Sequence, residues 1–191
     1  KWDGKVKAIK ALKMDALILN GQPFFMAAGI GYDAKVIEQF NKLPFRGVGA
    51  YLTGILTTAF TYKLPHFTIE IDDEKTIETE AFTVLITSTG QLGYNVEFTK
   101  NSILNDGKFE ITIVKNFDRK RVPNLIYESF YGDLASQEML ETHRVNKILK
   151  IRTNKIESIQ MDGDYKGKTN YIEVICKKQA LNFLVDKDFT L

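Results

Sequence analysis

The chain has 191 residues, of which 44% are hydrophobic and 26% charged, the balance of a globular protein rather than of a disordered or fibrous one. Its 26 basic and 24 acidic side chains leave a formal charge of +2, too small a field to hold a nucleic acid backbone. No apolar run reaches the roughly 18 residues of a spanning helix, and the opening Lys1-Trp2-Asp3-Gly4-Lys5 lacks the apolar core of a signal peptide.

In chain order, the first strand candidates are Asp15–Asn20 and Pro23–Ala28. The run Gly29-Ile30-Gly31-Tyr32-Asp33-Ala34 then imitates the dinucleotide fingerprint G-x-G-x-x-G/A. The acidic residue that a ribose needs about 20 positions on is missing from residues 48–54, so a tight strand-to-helix turn is expected. Val36, Ile37, Phe40 and Leu43 share one face of a helix predicted over Asp33–Leu43, with Asp33 placed to cap it and Pro44 to stop it. A second helix is predicted over Val48–Tyr62, within the uncharged stretch that begins at Gly47.

Phe67, Ile69 and Ile71 alternate with polar residues, Asp72-Asp73-Glu74-Lys75 reads as a turn, and the alternation resumes from Ile77 to Ile86, which predicts a hairpin. Asn105-Asp106-Gly107 is a good turn before the strand pattern Phe109, Ile111, Ile113; such a turn can also combine one carboxylate with backbone carbonyls around a hard cation. Lys115, Arg119, Lys120 and Arg121 form a basic cluster, read as solvated charge or as contact with an anionic membrane surface. Pro123 to Tyr131, closed by Gly132, predicts a third helix.

Val145–Arg152, Lys155–Met161, Ile172–Cys176 and Leu181–Val185 are further strand candidates. Between them, Asp162 to Glu173 mimics the acid spacing of a calcium loop, but Lys166 stands at a ligand position and the flanks alternate with period two. A polar hairpin loop is expected, in which Asp162 and Asp164 could present a general base beside a supporting acid. The single Cys176 closes no internal disulfide and, with only His66 and His143, supplies no structural zinc set, which points to a reducing, cytoplasmic setting. About ten short strands with a helical insertion predict a mainly β chain, a single domain with two antiparallel sheets packed as a β-sandwich.

Taken in order, Phe24 to Ala34, Gly90 to Gly93, Asp106-Gly107-Lys108-Phe109, Met161-Asp162-Gly163-Asp164 and the closing Gln179 to Val185 resemble the C-terminal domain of bacterial diacylglycerol kinase and sphingosine kinase-like lipid kinases, over nearly the whole chain. The resemblance implies the C-terminal domain of the NAD kinase/diacylglycerol kinase-like fold, residues 1–191 being the lipid-binding half of an enzyme that moves the γ-phosphate of ATP to a lipid hydroxyl. The family's Gly-Gly-Asp-Gly-Thr nucleotide loop occurs nowhere in the sequence and the chain begins with Lys, so the ATP-binding N-terminal domain is expected to be missing here and the isolated chain to be inactive.

Carried over residue by residue, the catalytic base falls on Asp164, where the family has Glu, with Asp162 sharing the role. A structural Mg2+ falls on the Asp106 carboxylate and the main-chain carbonyls of Ile103 and Lys108, while Lys100 stands where relatives often have Pro. The Asp106 and Asp164 turns are then expected to lie close together, and the lipid cleft to lie between the sheets or beside the 47–62 helix. Implied cofactors and partners are Mg2+, ATP as co-substrate, a diacylglycerol-like or sphingoid-like lipid, the chain's own N-terminal domain, transient contact with the inner membrane surface and, as a further candidate, a second copy of the chain; no nucleic acid is implied. The competing reading is a non-catalytic β-sandwich module for a lipid or small apolar ligand, and a nucleotide-dependent oxidoreductase is more distant.

Overall fold

A computed structural model of the chain describes residues 9–44, 47–88, 104–131 and 138–187. In order, the strands are β1 (Ile9–Leu19), β2 (Gln22–Phe24), β3 (Ala27–Gly31), β4 (His66–Ile71), β5 (Lys75–Thr87), β6 (Phe109–Lys115), β7 (Leu140–Val145), β8 (Ile148–Met161) and β9 (Asp164–Asp186). Helices α1 (Tyr32–Phe40) and α2 (Val48–Thr61) follow β3, and a 3-10 turn (Arg119–Arg121) leads into α3 (Val122–Tyr131).

Alternating side chains turn these strands into a wholly antiparallel arrangement in the order β2-β1-β9-β8-β3-β5-β6-β7, with β4 pairing both β5 and β8. β5 and β8 are long enough to hold β4 along one half and β3 along the other. The hydrogen-bonded path is continuous, and β1, one strand in from one end, meets the turn before β6, one strand in from the other. The amide of Asp15 in β1 donates to the carbonyl of Leu104, just before β6, at 2.8 Å. The inward residues of all nine strands therefore share one core, among them Leu17, Phe24, Ile30, Phe67, Ile111 and Ile172, each fully buried. This is the expected mostly-β sandwich.

Several boundaries differ from the sequence reading. Pro23–Ala28 is two strands, broken at Phe25-Met26, whose amides are taken up by a side chain from the turn between β8 and β9. Val145 closes β7, whereas Ile148–Met161 is one strand across the interruption expected near residue 153. Ile172–Cys176 and Leu181–Val185 are parts of the single long β9, and the polar hairpin loop expected over Asp162–Glu173 shrinks to Asp162-Gly163, the rest of that segment being the first part of β9, paired with β8. Gly132 lies outside the described residues.

Asp33 is not the cap of α1. Gly31 holds that place at φ 119°, a conformation that L side chains rarely adopt, and a Cβ there would stand 2.6 Å from the Phe82 carbonyl oxygen. The strand-to-helix turn thus needs its glycine for backbone approach, as expected, and Asp33 falls inside the first turn with its side chain directed to β5 and β8.

Candidate functional site

The β8–β9 connection is a two-residue loop, Asp162-Gly163, with φ of 50° and 82° and Met161 paired to Asp164. This is the left-handed geometry for which Asp-Gly is suited. The Asp162 carboxylate accepts the amides of Phe25 (3.0 Å), Met26 (2.8 Å) and Ala27 (3.2 Å), and the Asp162 amide donates to the Ala27 carbonyl at 2.7 Å. Asp162 therefore pins the β2–β3 connection to the hairpin. Asp164, the first residue of β9, is 76% exposed, with Lys166 Nζ 3.3 Å from its carboxylate. Phe25 and Met26 stand beside the hairpin with 49% and 44% of their surface exposed.

The connection continues along one rim of the sandwich. Ser88, at the end of β5, donates its amide to Met26 (3.2 Å) and its hydroxyl to Phe25 (2.8 Å). Thr87 pairs with Glu110 near the start of β6, and the turn before β6 carries Asp106. From the other side, Leu17 pairs with Phe24, and Asp15, two residues earlier, occupies a bulge of β1 against β9. The buried Asp15 carboxylate accepts the Gly107 amide at 2.6 Å and the Gln179 amide at 2.7 Å. The register thus places the Asp106 turn and the Asp162-Gly163-Asp164 hairpin on the same rim. Gly90 to Gly93, Lys100 and Ile103 lie outside the described residues.

At Asp106 the arrangement does not suit the implied Mg2+. One carboxylate oxygen accepts the Lys108 amide at 3.0 Å, and the other is held by the Arg144 guanidinium. Arg144 also stands 3.9 Å from Glu110. Each carboxylate oxygen already has a partner, and the Arg144 guanidinium supplies positive charge beside the group. Lys108 enters the turn through its amide. Among the described residues no three His, Cys, Asp or Glu side chains gather as a metal set. Beneath the turn, burial and the neighbouring Asp15 and Asp106 charges push the Cys176 thiol up to about 11, which disfavours the thiolate at neutral pH.

Sequence reasoning missed Asp33 as a buried acid. Its carboxylate accepts the Thr83 hydroxyl and, at 3.0 Å, Gln160 Nε2. Burial pushes its pKa upward against those hydrogen bonds. Gln160 in turn accepts the Gly163 amide at 3.1 Å, so the acid is linked to the hairpin through one side chain. The available signal was Gly29, where a Cβ would meet the Asp33 carboxylate at 2.0 Å. The basic cluster is also partly internal. Lys115 pairs with Glu141 at 2.5 Å, and Arg119 donates to the carbonyls of Phe60 and Tyr62 at the end of α2.

The site is thus an antiparallel sandwich whose Asp-Gly hairpin is pinned to the β2–β3 connection, one strand ahead of a glycine-dependent helix start. Residues 27–185 match the family described as the YegS C-terminal NAD kinase beta sandwich-like domain, and the chain belongs to that family. It is 26% identical over 180 residues to an uncharacterized protein, sll0036, of Synechocystis, covering 88% of this chain and 40% of that one. Among solved structures it is similar to a proposed diacylglycerol kinase of Bacillus anthracis (TM-score 0.62, 21% identity, 94% of this chain and 56% of that one). It is also similar to a diacylglycerol kinase of the same organism (TM-score 0.59, 18% identity, 94% and 54%). The fold is thus shared with the second domain of diacylglycerol kinase-like proteins, and the chain spans about half the length of those structures.

Proposed function

We propose that this domain binds the lipid and contributes the base in an ATP-dependent lipid kinase whose nucleotide site lies on a separate N-terminal domain. The observation that supports this best is the division of labour in the β8–β9 hairpin. Asp162 is saturated by backbone amides and serves as the positioning residue, leaving the exposed Asp164 as the carboxylate able to receive a proton from a substrate hydroxyl. As the lipid oxygen bonds to the γ-phosphorus of ATP and ADP leaves, the hydroxyl proton passes to Asp164. No step is assigned to a cation at Asp106.

The acyl or sphingoid chains are placed along α2, which carries no charged residue and exposes Leu56 and Phe60. The same helix and the exposed Lys120 provide the transient membrane contact, and no described helix is long and apolar enough to cross a bilayer. The ATP-binding domain is assigned to the ribbon formed by the ends of β1 and β9, where Ile9, Phe183 and Leu184 are exposed. The test is phosphate transfer from labelled ATP to diacylglycerol, a sphingoid base and phosphatidylglycerol in mixed micelles, using the intact gene product. Asp164→Asn is expected to lower kcat by about 100-fold or more. Full activity in that variant would remove Asp164 as the base, and no transfer to any of these lipids would favour a non-catalytic lipid-binding module.

A further inference from the structure

Away from the rim, a cavity of about 250 Å3 opens between α1, the C-terminal end of α2 and the β8–β9 pair. Its lining includes Lys35, Lys63, Lys155, Lys168, Thr58 and Ser158. The buried Glu38 of α1 meets three of the surrounding lysines, Lys35 and Lys42 at 2.9 Å and Lys168 at 3.4 Å, and accepts the Ser158 hydroxyl at 2.8 Å. Glu157 meets Lys155 at 3.1 Å and accepts the Tyr62 hydroxyl at 2.7 Å. The Lys63 ammonium has no partner among the described residues. Four lysines and one glutamate, Glu157, line the cavity, and Glu38 behind the lining is shared among Lys35, Lys42 and Lys168, so positive charge is in excess there.

A second observation is independent of charge. Thr58 lines the cavity, is 5% exposed, and its hydroxyl has no hydrogen-bond partner. Burying a hydroxyl without a partner is unfavourable, and the helix has a ready way to avoid it. Thr53, Thr57 and Thr61 each donate to the carbonyl one turn back, at 2.8, 2.7 and 3.2 Å. The negative end of α2 does not oppose an anion here, because Arg119 takes the Phe60 and Tyr62 carbonyls and Lys155 Nζ takes that of Lys63 at 2.6 Å.

We infer that this cavity is a binding site for a phosphate group, held by the ammonium groups of Lys63 and Lys168 and by the Thr58 hydroxyl. Lysines act as point charges suited to a compact tetrahedral anion, and the volume lies below the roughly 300–1,000 Å3 of drug-sized ligand sites, which fits a phosphate with little attached carbon. The source is either a free phosphate or phosphate monoester, or the headgroup of an anionic lipid. The inference does not rest on the kinase reading.

The test titrates the 191-residue chain with inorganic phosphate at constant ionic strength, following Tm and binding heat, and in parallel sediments it with phosphatidylcholine vesicles with and without phosphatidic acid. A saturable rise of Tm that chloride does not reproduce is expected. The double variant Lys63→Gln, Lys168→Gln should weaken binding by about tenfold or more, while Lys10→Gln, Lys13→Gln, on β1, should not. Thr58→Val supplies a second check: it should raise Tm without phosphate and weaken phosphate binding, a pairing that mere loss of folding cannot give. Phosphate binding without preference for phosphatidic acid identifies a free ligand, and vesicle binding that is lost in the double variant identifies a headgroup. Binding to neither, or binding untouched by both variants, would overturn the site.

Discussion

Arg144 on β7 holds the carboxylate of Asp106, the residue at which the family resemblance places a divalent cation. The guanidinium and the Lys108 amide use both carboxylate oxygens, and the turn is held independently by Asp15 through Gly107. The fold of this domain should therefore not depend on a divalent ion. Chelation with EDTA, or added millimolar Mg2+, is expected to leave Tm unchanged in the unmodified chain. Arg144→Gln should cost about 0–1 kcal/mol, because the side chain is 42% exposed and solvent screens the pair. It should also make Tm responsive to Mg2+ by releasing a carboxylate oxygen. A fall of several degrees on chelating the unmodified chain would refute the arrangement.

The β8–β9 hairpin gives different surroundings to two acids, Asp162 and Asp164, that have one residue between them. Asp162 accepts three amides of a segment 135 to 137 residues distant. Asp162→Ala would leave those donors unpaired and should cost about 1–3 kcal/mol, a fall in Tm of about 3–10 °C for a domain of this size. Asp164→Ala removes an exposed side chain whose one described contact is Lys166 at 3.3 Å, and should change stability by no more than about 0.5 kcal/mol. Thermal melts of the two variants side by side decide the assignment. Equal losses would mean that Asp164 also supports the fold, and no loss in Asp162→Ala would mean that the β2–β3 connection is held by other contacts.

What was legible in the sequence was what short-range pattern dictates. Alternation at Phe67, Ile69 and Ile71 gives β4 because each of these faces the core, and a turn after Met161 was legible too, but not its tightness: only Asp162 and Gly163, both at positive φ, leave the strands, where a longer polar loop was expected. Long-range partnerships were not legible. Asp33 reads as a helix cap from its neighbours, and only the pairing of β3 with β5 and β8 brings Thr83 and Gln160 to it. Arg144 looks like an ordinary exposed strand residue until the pairing of β6 with β7 sets it beside Glu110 and within reach of Asp106. Phe25-Met26 reads as strand interior, because the carboxylate that captures its amides lies 137 residues further on.

Glu38 gives the chain a pH dependence of definite sign. Burial alone would raise its pKa, but hydrogen bonds from Lys42, Lys35 and Ser158 outweigh it and bring the pKa down from 4.5 to about 2. A carboxylate whose folded pKa is depressed contributes stability that is present above its unfolded value and is lost as pH falls from about 4.5 through about 2. The contribution is on the order of 3 kcal/mol. Asp33 works in the opposite direction. Its pKa is raised by burial, so its ionisation costs stability as pH rises above the ordinary carboxylate range, and acid pH relieves that cost. Comparing the chain with Glu38→Gln isolates the first effect, since Asp33 is common to both. Urea midpoints at pH 6, 4 and 2.5 should show the unmodified chain ahead at pH 6 and the gap cut to about a quarter at pH 2.5. A gap that stays constant across this range would show that Glu38 acts through packing or neutral hydrogen bonding and not through its charge.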